Sequence, residues 1–446
     1  MSPTNRPHTL QPEGTALGLP LRAARALLML MGAALVLGAC GGGTDRTKAQ
    51  VRLVNAADRQ GYPMLELRVD GSLRQGDVAY GQTASYAEVD PKKTSSTISA
   101  TGSATALLSF TPSLSKDKHY TVLAYGRAGA LRELLVDDNL GDPAANRTSL
   151  RVINAAPDAG NLDVYITAAS DDLRTAVAAH TGAAYGELSP VIDVASGTWR
   201  VRVAAANSKT DVRLDLSDVV LGSRQVMTLV LTPSRGGALV NALLLVQQGT
   251  VTQLDTLQAR VRVLAGVADS GTVSASLGTT LLMPSIGSPA VGAYTLVPAR
   301  TPPLTITVNG GAVTPPGTVL VAGGDYTLLV FGLLAAPVAA WVEDDNHLPT
   351  VSGQVNMRLV NATAAIAGAL SMTVDALPLA GSVLVGTASA YAAVSATEVA
   401  AISVTAVGVT QPVFSASRQP LTAGGVYSVF VVGPQGASTG VLRQDR

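Results

Sequence analysis

The heptapeptide Val51-Arg52-Leu53-Val54-Asn55-Ala56-Ala57 decides how this chain is organised, because related segments recur along the sequence. They begin at Leu150, Val261 and Met357, and each carries an arginine as its second residue. The spacing from arginine to arginine is 99, 111 and 96 residues. Such a period indicates tandem domains rather than a solenoid, because each repeat is large enough to enclose a core of its own.

A second recurring segment closes each repeat on the same period. It begins at Tyr120, Met227, Tyr326 and Tyr427, each followed by Thr or Ser and an apolar run. Two independent segments on one period predict four domains of about 90 to 100 residues, a common domain size. We place these domains at residues 49–140, 149–249, 259–346 and 355–446. We expect independent units joined like beads on a string, so that 149–249 folds alone.

Within each repeat the apolar residues alternate with polar ones. Leu65, Leu67 and Val69 alternate with charged neighbours, a period of two that predicts half-buried strands. Asp70-Gly71 and Asn309-Gly310 favour hairpin turns, because these residues tolerate positive φ. With about seven strands per repeat and no helical period, the sequence predicts an all-β protein of four tandem antiparallel β-sandwich domains, immunoglobulin-like in size, after a signal peptide.

One segment admits a competing interpretation. Residues 326–342 are almost wholly apolar over 17 residues, which is close to the length of a transmembrane helix. Thr327, Gly332 and Pro337 interrupt the run. We therefore interpret it as the last two strands of the third sandwich, joined by a loop.

The amino-terminal region reads as an export signal. Two arginines precede an apolar run, Leu27 to Ala39, that is too short to span a bilayer. The run ends in Leu37-Gly38-Ala39-Cys40, and Cys40 is the single cysteine of the chain. The alternative is a buried free cysteine that lies here by chance.

This tetrapeptide resembles the lipobox of bacterial lipoproteins, in which the cysteine receives a diacylglyceryl group and becomes the first mature residue. The resemblance implies a lipoprotein signal peptide at residues 1–39 and lipidation of Cys40, and the glycine-rich residues 40–48 are expected to form a flexible tether. Gly41, rather than an aspartate, follows the cysteine, and the resemblance then implies the outer membrane. An acylated Cys40 would leave no thiol for a disulfide.

Net charge excludes one class of partner. The chain has 31 Lys+Arg and 31 Asp+Glu, a formal net charge of zero. Proteins that bind nucleic acid or an acidic membrane surface present clustered basic residues in excess. We therefore expect no polyanion partner, neither nucleic acid nor an acidic membrane surface.

The second repeat carries a family resemblance. After its opening segment come Pro157-Asp158 and the strand Asp163-Val164-Tyr165. With the Tyr-Thr-Val segment and an acidic end, these motifs resemble a bacterial family catalogued as domain of unknown function 4397. The resemblance extends over residues 49–446. It implies an exported β-rich lipoprotein or cell-surface protein, and it implies no activity.

Residues able to support catalysis are scarce. The histidines are His8, His119, His180 and His347, and none has a second histidine or a cysteine at metal-ligand spacing. No nucleophile elbow or phosphate-binding glycine loop is present. We interpret His119 and His180 as surface or strand-end residues. The sequence thus predicts no catalytic residue, no metal site and no cofactor.

Two acidic segments are the nearest approach to a site. Asp137-Asp138-Asn139 ends the first repeat and Glu343-Asp344-Asp345-Asn346 ends the third. Such oxygen ligands could hold calcium, or they could form polar linkers between domains. We favour linkers, because the second repeat ends in Gln247-Gln248 and the fourth in Arg443-Gln444-Asp445-Arg446.

The repeated arginines and the two tryptophans allow two readings. A row of arginines can be a binding stripe, but one strand position kept through four repeats favours a shared structural role. The residues concerned are Arg52, Arg151, Arg262 and Arg358. Trp199 begins a strand and Trp341 lies in an apolar one, so core packing is expected rather than sugar binding.

The sequence as a whole favours a lipid-anchored bacterial envelope protein, in the outer membrane, acting as a non-catalytic binding, adhesion or scaffolding module. Its expected partners are the membrane, through Cys40, and an envelope protein or a glycan. The alternative is a periplasmic or surface enzyme, or a ligand-uptake component, with its site between domains.

Overall fold

The computed structural model describes residues 45–300, 303–317, 320–366 and 368–446. All regular secondary structure in these ranges is β-strand. Residues Thr47–Arg446 form one compact unit. The predicted signal peptide and Cys40 lie outside the described residues.

Each repeat folds into one sandwich, and we number the sandwiches units 1 to 4 along the chain. In each unit, the inner sheet is the one that contains the two recurring segments, and the outer sheet is the opposite one. Unit 1 is a sandwich of two four-stranded sheets. Its inner sheet has the order β4-β1-β7-β8 and its outer sheet the order β3-β2-β5-β6. The strands are β1 Ala49–Ala57, β2 Met64–Val69, β3 Ser72–Ala79, β4 Ala87–Val89, β5 Ser96–Ala100, β6 Ala106–Phe110, β7 His119–Arg127 and β8 Ala130–Asp137.

Unit 2 repeats this plan with one additional edge strand. Its inner sheet has the order β12-β9-β15-β16-β17 and its outer sheet the order β11-β10-β13-β14. The strands are β9 Arg147–Asn154, β10 Leu162–Thr167, β11 His180–Ala183, β12 Ile192–Ala195, β13 Gly197–Ala205, β14 Val212–Leu221, β15 Gln225–Pro233, β16 Val240–Val246 and β17 Val251–Leu254.

Unit 3 has the inner sheet β21-β18-β25-β26, with β22 also paired to β18, and the outer sheet β20-β19-β23-β24. The strands are β18 Gln258–Val267, β19 Thr272–Leu277, β20 Thr280–Gly287, β21 Ala290–Val291, β22 Thr295–Pro298, β23 Leu304–Val308, β24 Gly311–Val313, β25 Asp325–Leu333 and β26 Ala336–Asp344.

Unit 4 has the inner sheet β30-β27-β34-β35, with β31 also paired to β27, and the outer sheet β29-β28-β32-β33. The strands are β27 Gln354–Ala364, β28 Leu370–Val374, β29 Leu377–Val383, β30 Thr387–Ala388, β31 Ala392–Ser395, β32 Thr397–Ala406, β33 Phe414–Leu421, β34 Val426–Pro434 and β35 Thr439–Gln444. The four units confirm the all-β sandwich architecture predicted from the sequence.

The two recurring segments are neighbours at the centre of each inner sheet. In unit 1, β1 runs parallel to β7 and places Arg52 opposite Thr121. The same parallel pair recurs as β9 with β15, β18 with β25, and β27 with β34. Each sandwich is otherwise antiparallel, so its opening and closing segments are joined by one parallel ladder.

Hairpins follow the turn residues predicted from the sequence. Asp70 and Gly71 have φ of 50° and 73°, and Asn309 and Gly310 have φ of 48° and 80°. Two-residue turns of this kind match the twist of the flanking strands. The apolar segment 326–342 falls within β25 and β26, which confirms its interpretation as two strands. Among the described residues there is no helix long and apolar enough to cross a membrane.

The central strands of the inner sheets are buried on both faces. Every residue of β1 is buried. Val51 and Leu53 face the core of unit 1, whereas Val54 and Ala56 pack against unit 2. A strand covered on both sides reads as a continuous apolar run rather than an alternating one.

The units are therefore joined in pairs by shared cores. Between units 1 and 2 the shared core includes Val54, Leu123, Tyr125, Ile153, Val230 and Leu243. Between units 3 and 4 it includes Leu264, Leu329, Phe331, Val360, Phe430 and Val432. Each inner sheet has an apolar outer face that its neighbour covers, so the units pack together rather than lie apart as separate beads. That residues 149–249 fold alone stays a prediction.

A turn of unit 2 links one pair to the other. Gly236 in the β15–β16 turn donates its N–H to the carbonyl of Gly323 (2.8 Å) and accepts the N–H of Asn346 (3.1 Å). Beside it, Arg235 pairs with Glu343 at 2.6 Å. Backbone and side-chain contacts thus tie unit 2 to unit 3.

Replacing Phe430 by Ala tests the shared core. Phe430 is fully buried between units 3 and 4, and loss of a buried phenylalanine costs about 3–5 kcal/mol. We expect faster hydrogen exchange in β18 and β25 of unit 3 as well as in unit 4. Val404→Ala, a core change within unit 4 alone, controls for effects of unfolding unit 4. Unchanged exchange in unit 3 of the Phe430 variant would restore the bead model.

Candidate functional site in the paired inner sheets

The four repeated arginines lie inside the molecule, on the faces where inner sheets meet. Their exposed fractions are 2% for Arg52, 6% for Arg151, 1% for Arg262 and 1% for Arg358. A buried guanidinium stays charged and needs several acceptors. The structure confirms a shared structural role rather than an exposed binding stripe.

Arg262 belongs to a hydrogen-bonded network centred on Asp344. Its Nε donates to Thr327 Oγ1 at 2.9 Å. Thr327 Oγ1 donates to Asp344 Oδ2 at 2.6 Å, and the Tyr294 hydroxyl donates to the same oxygen at 2.7 Å. The other carboxylate oxygen, Oδ1, accepts a hydrogen bond from Arg358 of unit 4.

Unit 4 contains the reciprocal network around Asp445. Arg358 Nε donates to Ser428 Oγ at 2.9 Å, and Ser428 donates to Asp445 Oδ2 at 2.6 Å. Tyr391 donates to the same oxygen at 3.3 Å. Arg262 of unit 3 reaches across to Asp445 Oδ1. Each unit of the pair thus supplies an arginine to the other unit's carboxylate.

Burial and charge act in opposite directions in this network. Burial alone would raise the pKa of Asp344, but the guanidinium groups of Arg358 and Arg262 outweigh it and lower the pKa. Burial raises the pKa of Tyr294 well above its ordinary value, and that of Tyr391 is raised for the same reason. The phenols therefore remain protonated hydrogen-bond donors, and Asp344 remains an ionised acceptor.

Unit 1 builds the same network. Arg52 Nε donates to Thr121 Oγ1 (2.7 Å), and Asp138 Oδ2 accepts from Thr121 (2.5 Å) and from Tyr86 (2.7 Å). Arg52 also reaches unit 2, where it donates to the carbonyls of Gly249 (2.5 Å) and Val246 (3.1 Å).

Unit 2 is the exception. By register, Gln247 takes the position of Asp138, because Met227 opposes Val246 as Tyr120 opposes Asp137. Arg151 donates to the Asp137 carbonyl of unit 1 at 3.1 Å. Its Nε has no hydrogen-bond partner within the described part of the chain, and burial lowers its pKa.

The linker interpretation of the acidic segments was wrong for Asp138, Asp344 and Asn346, which are buried. Asp445 was also misread, because it occupies the carboxylate position of unit 4 although arginines flank it in sequence. The exposed members of the two acidic segments are Asp137, Glu343 and Asp345. Within the described ranges, no group of three or more His, Cys, Asp or Glu side chains is placed to hold a metal.

The remaining single residues occupy structural positions. His119 and His180 are the first residues of β7 and β11, as expected for strand ends. Trp199 packs against the unit 2 core and donates Nε1–H to the Ala195 carbonyl at 2.9 Å. Trp341 packs against the unit 3 core, edge-on to Tyr326.

A polar cleft lies where the two pairs of units meet. Two adjoining cavities of about 300 and 340 Å³ share Asp58, Pro233, Ser234 and His347 in their walls. The sequence placed no binding residues here, because the contributing residues come from distant segments that carry no common motif.

The charged groups of this cleft are engaged with one another. Asp158 accepts the N–H of Leu348 at 3.0 Å and pairs with Arg127 at 3.4 Å. His347 is hydrogen-bonded to Asp345, which raises the pKa of the imidazole. These contacts join the units to each other. The charged groups they involve are bonded to the protein and are not left free to bind a ligand.

Comparison with known proteins gives a partial family match. A family model described as a domain of unknown function, DUF4397, matches residues 47–165, which comprise unit 1 and the start of unit 2. No curated protein matches the chain.

Three solved structures show distant similarity. One is a protein of Bacteroides uniformis provisionally assigned to cell adhesion, at 10% identity, with 68% of this chain and 100% of that chain covered and a TM-score of 0.14. The TIE protein of Bacillus anthracis is 8% identical over 94% and 80% of the two chains, with a TM-score of 0.14. A Bacteroides ovatus protein, also provisionally assigned to cell adhesion, is 8% identical over 68% and 97%, with a TM-score of 0.13. TM-scores this low do not support a conclusion about fold or function.

Asp344→Asn should be strongly destabilising, because it leaves two buried arginines with one carboxylate between them. Breaking a buried ion pair costs about 3–5 kcal/mol. The neighbouring Glu343→Gln removes a pair whose side chains are 45% and 48% exposed, and it should cost less than about 1 kcal/mol. Denaturant unfolding of the full chain measures both. Equal losses of unfolding free energy in the two variants would show that the buried network stabilises the fold no more than the exposed pair does.

The same network predicts a dependence of stability on pH. The folded-state pKa of Asp344 lies below its unfolded value of about 3.9. Its contribution is therefore complete above that value and is lost as pH falls through the folded pKa. We expect the free energy of unfolding to fall less steeply below about pH 4 in Asp344→Asn than in the wild type. Identical slopes between about pH 4 and pH 2 would contradict this assignment.

Proposed function

We propose that this protein is a lipid-anchored, non-catalytic module of a bacterial cell envelope that acts as a rigid scaffold or adhesion body. The proposal rests on the charged side chains that are buried between units 3 and 4. Asp344, Asp445, Arg262 and Arg358 are all at most 1% exposed as side chains and join one unit to the next. Charges buried in this way fix the geometry of a body and are withheld from any substrate.

The cleft between the pairs supports the same conclusion. Catalytic and binding sites present convergent polar groups in a concave space. Here Arg127, Asp158 and Leu348 contact one another across the unit boundary. Groups that satisfy each other across a junction hold the units in a fixed arrangement.

The membrane attachment rests on the sequence around Cys40. A single cysteine after a small-residue motif, at the end of an apolar run of signal length, is the arrangement of a bacterial lipoprotein. The outer membrane is the proposed location. An envelope protein or a glycan is the proposed partner of the exposed surfaces, and no nucleic acid is expected.

The proposal extends the family match from one unit to four. Units 2, 3 and 4 carry the parallel pair and the inner-sheet arginine of unit 1. We therefore regard all four as copies of the domain matched at residues 47–165.

Ligand uptake at the cleft is the second candidate, favoured by its two adjoining cavities. It predicts that small polar solutes, such as sugars or amino acids, raise the melting temperature of the full chain through linkage. His347→Ala should abolish such a rise. A rise of that kind would favour uptake over the scaffold.

Cys40→Ser tests the anchor. Acylation requires the thiol, so the variant should accumulate as an unlipidated precursor and lose stable membrane anchoring. Mass spectrometry of the mature amino terminus and fractionation of cells measure both effects. Thr44→Ser, a neutral change in the tether, is the control. A wild-type chain that carries an unmodified Cys40, or that begins elsewhere, would refute the anchor.

A further inference from the structure

The lysines of this protein are concentrated at one end of unit 1. The whole chain has six lysines, and only Lys209 belongs to another unit. Lys48 directly precedes β1, one pair lies between β4 and β5, and another pair lies between β6 and β7. We call the following five residues the lysine surface: Lys48, Lys92, Lys93, Lys116 and Lys118.

The fold brings these three segments together and so creates a local lysine cluster, which the zero net charge of the whole chain led us not to expect. The carbonyl of Lys48 accepts the N–H of Asp117 at 2.8 Å, and the carbonyl of Lys118 accepts the N–H of Gln50 at 2.8 Å. The Lys48 ammonium lies 3.8 Å from the carboxylate of Asp90. The turn that holds Lys92 and Lys93 therefore adjoins the point where the chain enters β1.

Acidic groups share this surface but do not outnumber the lysines. Asp70, 3.7 Å from Lys93, and Asp90 form loose exposed pairs, which contribute little. Asp117 lies between two of the lysines. The backbone N–H of Lys92, followed by the charges of Lys48, Lys92 and Lys93, lowers the pKa of Asp90. Glu88 is the nearest further carboxylate on β4 and contacts Gln50 at 3.5 Å.

The two basic residue types have separate uses in this molecule. The repeated arginines are buried between the units, whereas four of the five lysines are exposed and Lys48 is half-buried. An ammonium on a flexible stem binds phosphate as a point charge and needs no fixed geometry.

The lysine surface is also where the predicted tether joins the folded body. Seven residues lie between Cys40 and Lys48, so eight Cα–Cα steps join the two. Even fully extended, they span less than about 30 Å, and a glycine-rich chain of this length averages about 15 Å. A lipid on Cys40 would hold this end of unit 1 close to the bilayer.

We propose that the lysine surface contacts anionic phospholipid headgroups and fixes the orientation of the body on the membrane. This inference rests on the proposed lipid anchor, and it adds a second attachment to it. A single electrostatic contact of this kind is short-ranged and salt-sensitive. The tether alone would let the body rotate freely, whereas a lysine contact would hold this end of unit 1 against the bilayer.

The experiment is a lysine footprint on the full lipidated chain. The chain is reconstituted in vesicles of phosphatidylcholine with or without phosphatidylglycerol, and each lysine is acetylated and quantified by mass spectrometry. We expect the five lysines to react at least about fivefold more slowly on anionic vesicles, which corresponds to one cation held near a charged surface. Lys209 should react equally on both, and high salt should remove the difference.

A charge-matched pair of variants separates the lysine surface from net charge. In the first variant Lys92, Lys93, Lys116 and Lys118 are replaced by Gln, and Lys48 remains as the reporter. In the second, four exposed arginines elsewhere are replaced by Gln: Arg174, Arg224, Arg418 and Arg443. Lys48 should lose its protection in the first variant and keep it in the second.

The outcomes are distinguishable from those of the anchor. Equal labelling on both vesicle types, or protection of Lys48 that survives the four lysine changes, would overturn the lysine surface. Equal protection by inorganic phosphate without vesicles would also overturn it, because the ligand would then be a soluble anion. An unmodified Cys40 in the same sample, with protected lysines, would refute only the anchor.

Discussion

A buried guanidinium constrains this structure more than any other group. Arginine keeps its proton in proteins, so each inner-sheet arginine must be given a carboxylate or several carbonyls when it is taken out of water. Arg262 and Arg358 each donate a hydrogen bond to a carboxylate across the boundary between two units, and Arg262 also lies 3.8 Å from Asp344 of its own unit. The pairing of units is therefore part of the folding of each unit, and the shared apolar core lies around charges that neither unit could bury alone.

The two pairs meet the same requirement to different degrees. Units 3 and 4 exchange arginines symmetrically, with Asp344 and Asp445 as acceptors. In the first pair, Arg52 has Asp138 within its own unit, but Arg151 has only Gln247 at the equivalent position and reaches a backbone carbonyl instead. Units 1 and 2 thus pair through the same faces of their inner sheets as units 3 and 4, but with fewer charged side chains buried between them.

Much of the fold could be predicted from the sequence, because local pattern decides strands and turns. The Asp70-Gly71 hairpin and the two strands within 326–342 follow from residues adjacent in sequence. The joining of the units could not be predicted in this way, since it depends on which apolar face is covered by which neighbour. The signal was nevertheless present in the opening segment, where Val54 and Ala56 leave the second face of β1 as apolar as the first. Asp445 was hidden by its flanking arginines, because sequence adjacency says nothing about which side chains turn inward.

The parallel pairing of β1 with β7 bears on the order in which the chain can fold. Arg52 and Thr121 are 69 residues apart, and Arg52 and Gly249 are 197 residues apart. Because β1 is near the amino end, its partner strand β7 is available only when most of unit 1 has been made. The face of β1 that packs against unit 2 is covered only when most of unit 2 has been made. Contacts this distant in sequence form slowly and leave apolar strands open meanwhile. Until unit 2 is also available, the unfolded chain therefore exposes an apolar surface that would bind a holding chaperone or aggregate.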